Sequence, residues 1–386
     1  MQSFDAGRVP SLSFGPGRLL DLPDRITDLG GGPVLVVADA VLAELGVTER
    51  LRGILAADGI EAVIAADISG EPKDVLVDAF AARARGTGCK TVIGLGGGAA
   101  MDAAKLAAAI TLSNQPANYY ALAANPLPAN RLPSIAIPTT AGTGSEVTRT
   151  SIVSNGDGVK LWYWGEELLF EHAVLDPELT VSLPSHVTAW TGADAVAHAL
   201  EAVTSRSINP VGRLFGLQAL EILGKALPKA VADGSDVDVR GQMLWGSTVA
   251  GMALHNCNTH MGHNISHALG SLAPVHHGLA TGLALEVSLP MLTSRPEGAG
   301  DYAAAAKALG GPEDPASLLP VFIDLLRACG IERYLPAEAA DVEARALAEQ
   351  MAIPYNRGMA DNAACDISDE DLDLLAAEMM ALPVAA

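Results

Sequence analysis

The sequence has 386 residues, 49% of them hydrophobic, and a formal net charge of −21 at pH 7. This length suits two domains with sizeable cores. The negative charge would repel a phosphate backbone, and no apolar run reaches the ~18 residues that a membrane-spanning helix needs. We therefore exclude nucleic acid and membrane as partners.

Strand and helix signals alternate in the first half of the chain. Short apolar runs occur at Val34–Ala38, Ala62–Ala65, Thr91–Leu95 and Ser134–Ile137. Helical stretches follow the first three runs: one to about Asp58, one from Pro72 to about Arg85, and one from about Ala100. Strands that alternate with helices predict a parallel, doubly wound sheet.

Beyond Leu183 the strand signals stop. Ala- and Leu-rich helices are predicted at Thr188–Thr204, Val211–Asp233 and Gln242–Leu269. Ser368 and Asp371 predict a capping box at the start of the last helix. We therefore predict an α/β dinucleotide-binding domain over residues 1–183 and an all-α C-terminal domain over residues 184–386.

Cysteine usage and the N-terminal residues bear on the cellular compartment. The four cysteines, at positions 89, 257, 329 and 365, lack CxxC spacing, and residues 1–10 lack the pattern of a secretory signal. Both features favour a cytoplasmic protein with reduced, packed thiols.

A glycine-rich segment, Gly94–Ala99, follows the third predicted strand and opens a helix. Glycines let the backbone approach a phosphate closely, and a helix N-terminus offers N–H groups and a partial positive charge. The segment is not the ordinary dinucleotide fingerprint, because it does not follow the first strand and no acidic residue lies at the usual distance downstream. By itself it fits a phosphate loop or a plain glycine-rich turn.

Two further features favour a nucleotide ligand. Asp39 ends the first predicted strand, where a carboxylate can bind an adenosine ribose and repel the 2′-phosphate of NADP, or can cap the next helix. Pro138–Thr148 follows the fourth strand and is dense in hydroxyls and glycines. That composition suits phosphate and amide contacts, with an ordinary polar loop as the alternative.

Histidine is concentrated in one stretch, because six of the nine histidines lie between positions 255 and 277. His260, His263 and His267 have i, i+3, i+7 spacing and would share one helical face, and His277 follows after a bend near Pro274. Scattered surface histidines are the alternative, but neutral imidazoles grouped in this way favour a divalent transition metal.

The remaining half of a metal site comes from Asp194 and His198, which are four residues apart on a predicted helix. Such a pair is common by itself. Combined with His263 and His277 it gives one carboxylate and three imidazoles, which leave an open position for a substrate oxygen. A metal there would lower the pKa of an alcohol and favour hydride transfer to nicotinamide.

These motifs together resemble those of the iron-containing (group III) alcohol dehydrogenases, in the dehydroquinate synthase-like superfamily. The family pattern GGGSxxDxAK corresponds to Gly96–Lys105, with Ala99 in place of serine. PTTxGTGSEVT corresponds to Pro138–Thr148 and DPxLTxxLP to Asp176–Pro184. The resemblance extends from Phe14 to the C-terminal helices.

The resemblance implies a dehydroquinate synthase-like fold and an NAD-linked dehydrogenase that acts on a small primary or secondary alcohol, or on its aldehyde or ketone. It implies NAD rather than NADP, Fe²⁺ or Zn²⁺, a cytoplasmic location, and a homodimer or larger homo-oligomer. The implied metal ligands, all in the helical domain, are Asp194, His198, His263 and His277. His267 would lie near the nicotinamide as a proton relay or substrate-positioning group. The implied catalytic residues are His267 together with the metal ligands His263 and Asp194. The implied cofactor contacts are Asp39, Gly96, Gly97, Gly98, Asp102, Thr139, Thr140, Thr143 and Lys160.

Three positions depart from the family pattern. Ala99 removes one phosphate hydrogen bond. Lys160–Trp164 is more aromatic than the usual basic stretch. His260 stands where glycine is usual, and we predict that it reaches into the substrate pocket and binds a polar or anionic substituent.

Three other functions fit the sequence less well. A metal-free reductase like the maleylacetate reductases would have degraded metal positions, whereas all four are intact here. A dehydroquinate synthase-like lyase would need basic residues for a phosphorylated substrate, and few lie near the histidines. A non-catalytic nucleotide-binding protein would have no use for an open Asp-His₃ set.

Overall fold

The computed structural model describes residues 3–385, so Met1 and Ala386, the outer limits of the two predicted domains, lie outside it. The chain separates into two compact units. The sheet unit comprises Arg8–Thr140 and Ser145–Thr180. The helical unit comprises, among the described residues, residues 3–7, the short segment Ala141–Gly144, and residues 181–385.

The sheet unit contains a six-stranded parallel sheet with the strand order β1-β8-β5-β4-β2-β3, beside the antiparallel hairpin β6–β7. The strands are β1 Ser11–Phe14, β2 Val34–Asp39, β3 Ala62–Ile68, β4 Thr91–Gly96, β5 Ser134–Pro138, β6 Thr150–Ser154, β7 Lys160–Trp164 and β8 His172–Leu175. The helices are α1 Leu22–Asp28, α2 Ala40–Glu44, α3 Val47–Ala57, α4 Asp74–Thr87 and α5 Gly98–Ile110.

Successive residues of β2 pack into two different cores, one on each face of the sheet. Val36 packs in the core that contains Leu51 of α3, and Val37 packs in the core that contains Phe80 of α4. Because side chains alternate along a strand, this arrangement means that helices cover both faces. The predicted parallel, doubly wound sheet is confirmed.

The four apolar runs each form a strand, and four further strands were not predicted. Strands β1 and β8 have only four residues each, β6 mixes polar and aliphatic residues, and β7 is mostly aromatic. The helical stretch predicted to end near Asp58 is two helices, α2 and α3, separated at Gly46, which has a positive φ of 75°.

The helical unit contains ten α-helices among the described residues. They are α6 Ser185–Val203, α7 Pro210–Ala232, α8 Val237–Cys257, α9 Met261–Leu272, α10 His277–Thr293, α11 Ala299–Ala308, α12 Pro315–Ala328, α13 Ala344–Ala352, α14 Pro354–Asp361 and α15 Asp369–Met380. Their apolar faces share one large core. The capping box of Ser368 and Asp371 is present at the start of α15.

The single helix predicted over Gln242–Leu269 is wrong, because the chain breaks between α8 and α9. Asn258 has a φ of 58°, which a continuing right-handed helix does not allow. The side-chain amide of Asn362 donates to the carbonyls of Cys257 and Thr259 and so stabilises the break. Helix α9 therefore starts in a new direction, with its own N-terminus at Met261.

All four cysteines are buried free thiols. Across residues 3–385, none of the helices is both long and apolar enough to cross a bilayer.

Candidate metal centre and nucleotide-binding loops

Three helices of the helical unit bring four potential metal ligands together. Asp194 and His198 are on α6, His263 is on α9, and His277 is the first residue of α10. The Nε2 atoms of His263 and His277 each lie 3.6 Å from Asp194 Oδ1, and that of His198 lies 4.0 Å from it. These separations are too long for hydrogen bonds.

Two buried atoms at the centre of this group have no hydrogen-bond partner: Asp194 Oδ1 and His263 Nε2. Buried acceptors that face one another repel unless a cation lies between them. The ligand atoms of Asp194, His263 and His277 all lie within 4.8 Å of one another. Ligands ~2.1 Å from a tetrahedral metal ion lie roughly 3.4 Å apart, so the residues present fit a bound divalent ion.

The protonation state of His263 supports the same interpretation. Burial, followed by the adjacent His198, lowers the pKa of His263 to about 3, and Asp194 opposes this shift. The ring is therefore neutral at physiological pH, which is the form that coordinates a metal.

His198 completes the predicted set at a slightly longer distance. Its Nδ1 lies 3.2 Å from the carbonyl of Gly142, and its ring stacks on that of His263 with centroids 4.6 Å apart. Because a carbonyl only accepts, the proton lies on Nδ1 and the Nε2 lone pair is available.

His267 lies one turn beyond His263 on α9. Its ring centroid is 5.1 Å from that of His277 and 6.1 Å from that of His263. His267 is thus beside the ligands and outside the tightest group. Its role as proton relay or substrate-positioning group stays a prediction.

The prediction for His260 is wrong. His260 is fully buried and is the N-cap of α9, so it does not continue the helical face of His263. Its Nδ1 accepts from the Met261 N–H, and its Nε2 lies 2.9 Å from Thr204 Oγ1. Both ring nitrogens are therefore used by the protein itself, which leaves none for a substrate.

The glycine-rich turn of the sheet unit connects β4 to α5, as predicted. The Gly97 N–H donates to Asp39 Oδ2 at 2.8 Å. Gly96 has a φ of 146°. Asp39 occupies the N-cap position of α2 but makes no side-chain capping bond. Burial raises the pKa of Asp39, and the Gly97 N–H opposes that shift. Because its side chain accepts from Gly97 and makes no capping bond, the carboxylate holds the turn instead of capping the helix.

The hydroxyl-rich segment, Pro138–Thr148, begins at the last residue of β5 and contacts the same turn. The Thr139 N–H donates to the Gly96 carbonyl at 3.0 Å. The hydroxyl oxygen of Thr140 is buried and has no hydrogen-bond partner. A buried hydroxyl without a partner beside a glycine turn fits a polar ligand such as a dinucleotide.

Asp102 on α5 has both carboxylate oxygens occupied. Ser145 Oγ donates to Oδ1 at 2.6 Å, and the Ile152 N–H donates to Oδ2 at 2.8 Å. Lys105 lies 3.6 Å from the same carboxylate and donates to the Thr150 carbonyl at 2.8 Å. The pair therefore anchors the end of the hydroxyl-rich segment and the hairpin to α5.

The remaining predicted cofactor residues, Gly98, Lys160 and Thr143, lie in three different parts of the chain. Gly98 is the first residue of α5. Lys160 on β7 donates to Glu71 at 2.7 Å. Thr143 lies in Ala141–Gly144, the segment that belongs to the helical unit. Their contacts with a cofactor remain predictions.

Glu201 is a residue of this site that was not predicted from the sequence. This fully buried residue lies at the end of α6 and contacts the Nδ1 atom of His263. A signal for it exists in the sequence, because positions 194, 198 and 201 are spaced i, i+4, i+7 and so share one helical face.

Comparison with known proteins supports the interpretation of both units. The profile described as iron-containing alcohol dehydrogenase matches residues 10–177, and that described as Fe-containing alcohol dehydrogenase family, C-terminal, matches residues 188–379. The chain is 36% identical over 279 residues to a probable alcohol dehydrogenase of Escherichia coli, covering 72% of this chain and 70% of that protein. It is 34% identical over 303 residues to the 1,3-propanediol dehydrogenase of Klebsiella pneumoniae, covering 76% and 77%.

A solved structure extends the similarity over nearly the whole chain. The sulfoacetaldehyde reductase of Bifidobacterium kashiwanohense, determined in complex with NAD⁺, superposes with a TM-score of 0.90 at 28% identity and covers 99% of this chain and 100% of its own. On these grounds, the chain belongs to the iron-containing alcohol dehydrogenase family.

Proposed function

We propose that this protein is a metal-dependent, NAD-linked oxidoreductase that interconverts a small primary or secondary alcohol and the corresponding aldehyde or ketone. The observation that carries the proposal is the pair of buried, unpartnered atoms, Asp194 Oδ1 and His263 Nε2, beside the Nε2 atom of His277. Family membership and the named activities of the relatives support the same conclusion.

Asp194, His198, His263 and His277 would hold the metal. Bound Fe²⁺ or Zn²⁺ supplies a Lewis acid that lowers the pKa of a substrate hydroxyl and polarises a carbonyl. The protein contributes neutral imidazoles in fixed orientations: burial keeps His263 uncharged, and the Gly142 carbonyl holds His198. His267, one turn from His263, would move the substrate proton at its imidazole or position the substrate.

The cofactor contacts would come from the turn Gly96–Gly98, from the hydroxyls of Thr139, Thr140 and Thr143, from Lys160, and from Asp39, with Asp102 anchoring the hydroxyl-rich segment. NAD supplies the hydride acceptor in the direction of alcohol oxidation. Asp39 would repel a 2′-phosphate, which favours NAD over NADP.

The test combines metal analysis with an activity assay on protein purified without oxygen and without a histidine tag. We expect about one iron or zinc ion per chain. NAD-linked oxidation of propanol should stop after chelation and return with Fe²⁺. The variant His263→Ala should lose the metal and the activity together. His186→Ala removes an exposed histidine of the same helix as His198 and should change neither.

The alternative outcome is equally clear. Reductase activity that persists in chelator, with no bound metal, would contradict the metal assignment and favour a metal-free reductase of the same family fold. A protein without redox activity on any alcohol or aldehyde would contradict the whole proposal.

We further propose a cytoplasmic homodimer or larger homo-oligomer. The four free cysteines support a reducing compartment. The net charge of −21 argues against nucleic acid as a partner. Light scattering coupled to size-exclusion chromatography tests the assembly, and a mass equal to one chain would contradict it.

A further inference from the structure

One carboxylate behind the metal ligands contacts two successive residues of α9. Glu201 Oε1 accepts a hydrogen bond from the Gly262 N–H at 2.6 Å, and Oε2 forms a hydrogen bond with Nδ1 of His263. Glu201 is fully buried. The same side chain therefore fixes the first turn of α9 and the imidazole that this turn carries.

This contact determines which nitrogen of His263 carries the proton. A carboxylate in this position only accepts, so the ring must donate from Nδ1. The lone pair then lies on Nε2, which is 3.6 Å from Asp194 Oδ1. With the opposite tautomer, a proton on Nε2 would point at Asp194, and the ring could not coordinate a metal through that atom.

The buried carboxylate of Glu201 accepts hydrogen bonds but has no lysine or arginine partner among the described residues. Within residues 3–385 no lysine or arginine forms an ion pair with Glu201. Its only possible ion-pair partners there are the imidazoles of His260 and His263. His260 Nδ1 accepts from Met261 N–H and so does not donate to Glu201. A buried carboxylate without a cationic partner is costly, although the N-terminus of α9 offsets part of that cost.

A divalent ion on the opposite side of the His263 ring accounts for this arrangement, since the imidazole would then link carboxylate and cation. We propose that Glu201 is a positioning residue of the metal centre, which holds His263 in the orientation and tautomer that bind the metal. This inference rests on the proposed function, because it takes Asp194 and His263 as metal ligands.

The variant Glu201→Gln tests the proposal. Glutamine offers one acceptor oxygen and one NH₂ group, so it can accept from the Gly262 N–H or from His263 Nδ1, but not from both. Where the NH₂ group faces the ring, it favours the tautomer with the proton on Nε2. We expect the dissociation constant for Co²⁺, titrated into metal-free protein and followed by visible absorption, to rise about 10- to 100-fold. The cobalt absorption band should also change shape.

Thermal unfolding of the metal-free protein separates positioning from a purely structural role. Glu286→Gln is the matched control, because Glu286 is also buried in the helical unit but lies 3.5 Å from Arg327 and 3.3 Å from Arg333. This control should lower the unfolding temperature and leave Co²⁺ affinity unchanged. If Glu201→Gln yields no folded protein, Glu201→Asp replaces it, since the shorter side chain cannot reach both donors and should also weaken Co²⁺ binding.

Each outcome is decisive. A wild-type protein that binds no Co²⁺ contradicts the proposed function itself. Wild-type binding together with unchanged Co²⁺ affinity in the folded Glu201 variant overturns only the positioning role, even if that variant is less stable.

Discussion

Gly278 lies so close to Trp190 that a β-carbon at position 278 would come 2.2 Å from the Trp190 carbonyl oxygen and 3.1 Å from the Asp194 β-carbon. Gly278 directly follows the predicted ligand His277, and Asp194 lies one turn beyond Trp190 on α6. The missing side chain therefore allows the start of α10 to approach α6 closely enough for His277 to reach Asp194.

Gly278→Ala should consequently weaken metal binding. The added methyl group forces the first turn of α10 away from α6, and overpacking of this kind costs about 1–3 kcal/mol. Gly282→Ala is the control on the same helix, because its β-carbon would have no neighbour nearer than 3.6 Å. We expect Gly282→Ala to be neutral or to stabilise by ~0.5–1 kcal/mol. Metal content and unfolding temperature, measured on both variants, check this, and equal effects would contradict it.

Gly96→Ala should weaken NAD⁺ binding. Gly96 has a φ of 146°, and a β-carbon there would lie 2.3 Å from Asp39 Oδ2 and 2.9 Å from the Ala100 β-carbon. The strain of about 1–3 kcal/mol would displace both the turn and the carboxylate. Calorimetric titration with NAD⁺ measures the loss of affinity.

The control is Gly53→Ala on α3, which has open space around its β-carbon and should leave NAD⁺ affinity unchanged. If Gly96→Ala also leaves the affinity unchanged, the turn does not bind the cofactor.

Asp102→Asn should destabilise the protein strongly. The side chain of its partner Lys105 is 0% exposed, so the substitution removes the carboxylate that attracts this buried ammonium group most and leaves only the weaker attraction of Glu146, at a cost of roughly 3–5 kcal/mol. The comparison is Glu313→Gln, which breaks an exposed pair with Lys307 and should cost ~0–1 kcal/mol. Urea unfolding of both variants gives the two values. Similar small losses would show that the Asp102–Lys105 pair does not anchor the hairpin and the hydroxyl-rich segment.

His172 should make the protein less stable to unfolding as the pH falls below 6.5. Burial, then Arg25 and Arg18, lowers the pKa of His172 from its usual 6.5, so the unfolded chain binds a proton that the folded chain does not. Its contribution to stability is therefore fully present above pH 6.5 and is lost as the pH falls below that value. His172→Gln should flatten the fall of the unfolding temperature between about pH 6.5 and 5, whereas exposed His186→Gln should not. Identical pH profiles for wild type and His172→Gln would refute this.

The sequence alone was sufficient for the elements whose signals are local and strong. Short, uninterrupted apolar runs predicted β2, β3, β4 and β5, because buried parallel strands must be apolar on both faces. The short edge strand β1 and its neighbour β8 carry no such run and were missed. The break at Asn258 was missed for a similar reason: residues 242–269 look helical throughout, whereas the end of α8 is stabilised by contacts of the distant Asn362 with two carbonyls.

The histidines show which features of the site the sequence determines and which depend on the tertiary structure. Residue type and spacing determined that this chain carries one carboxylate and several imidazoles suited to a metal, and spacing alone made His260 and His263 equivalent members of one face. The tertiary structure decided between them: the chain turns at Asn258, so His260 caps α9 and bonds Thr204, while His263 faces Asp194. Helical periodicity determines only the direction in which a side chain points around the axis of its own helix. Which helix faces which, and whether a buried nitrogen finds a partner, depends on contacts between residues far apart in the chain.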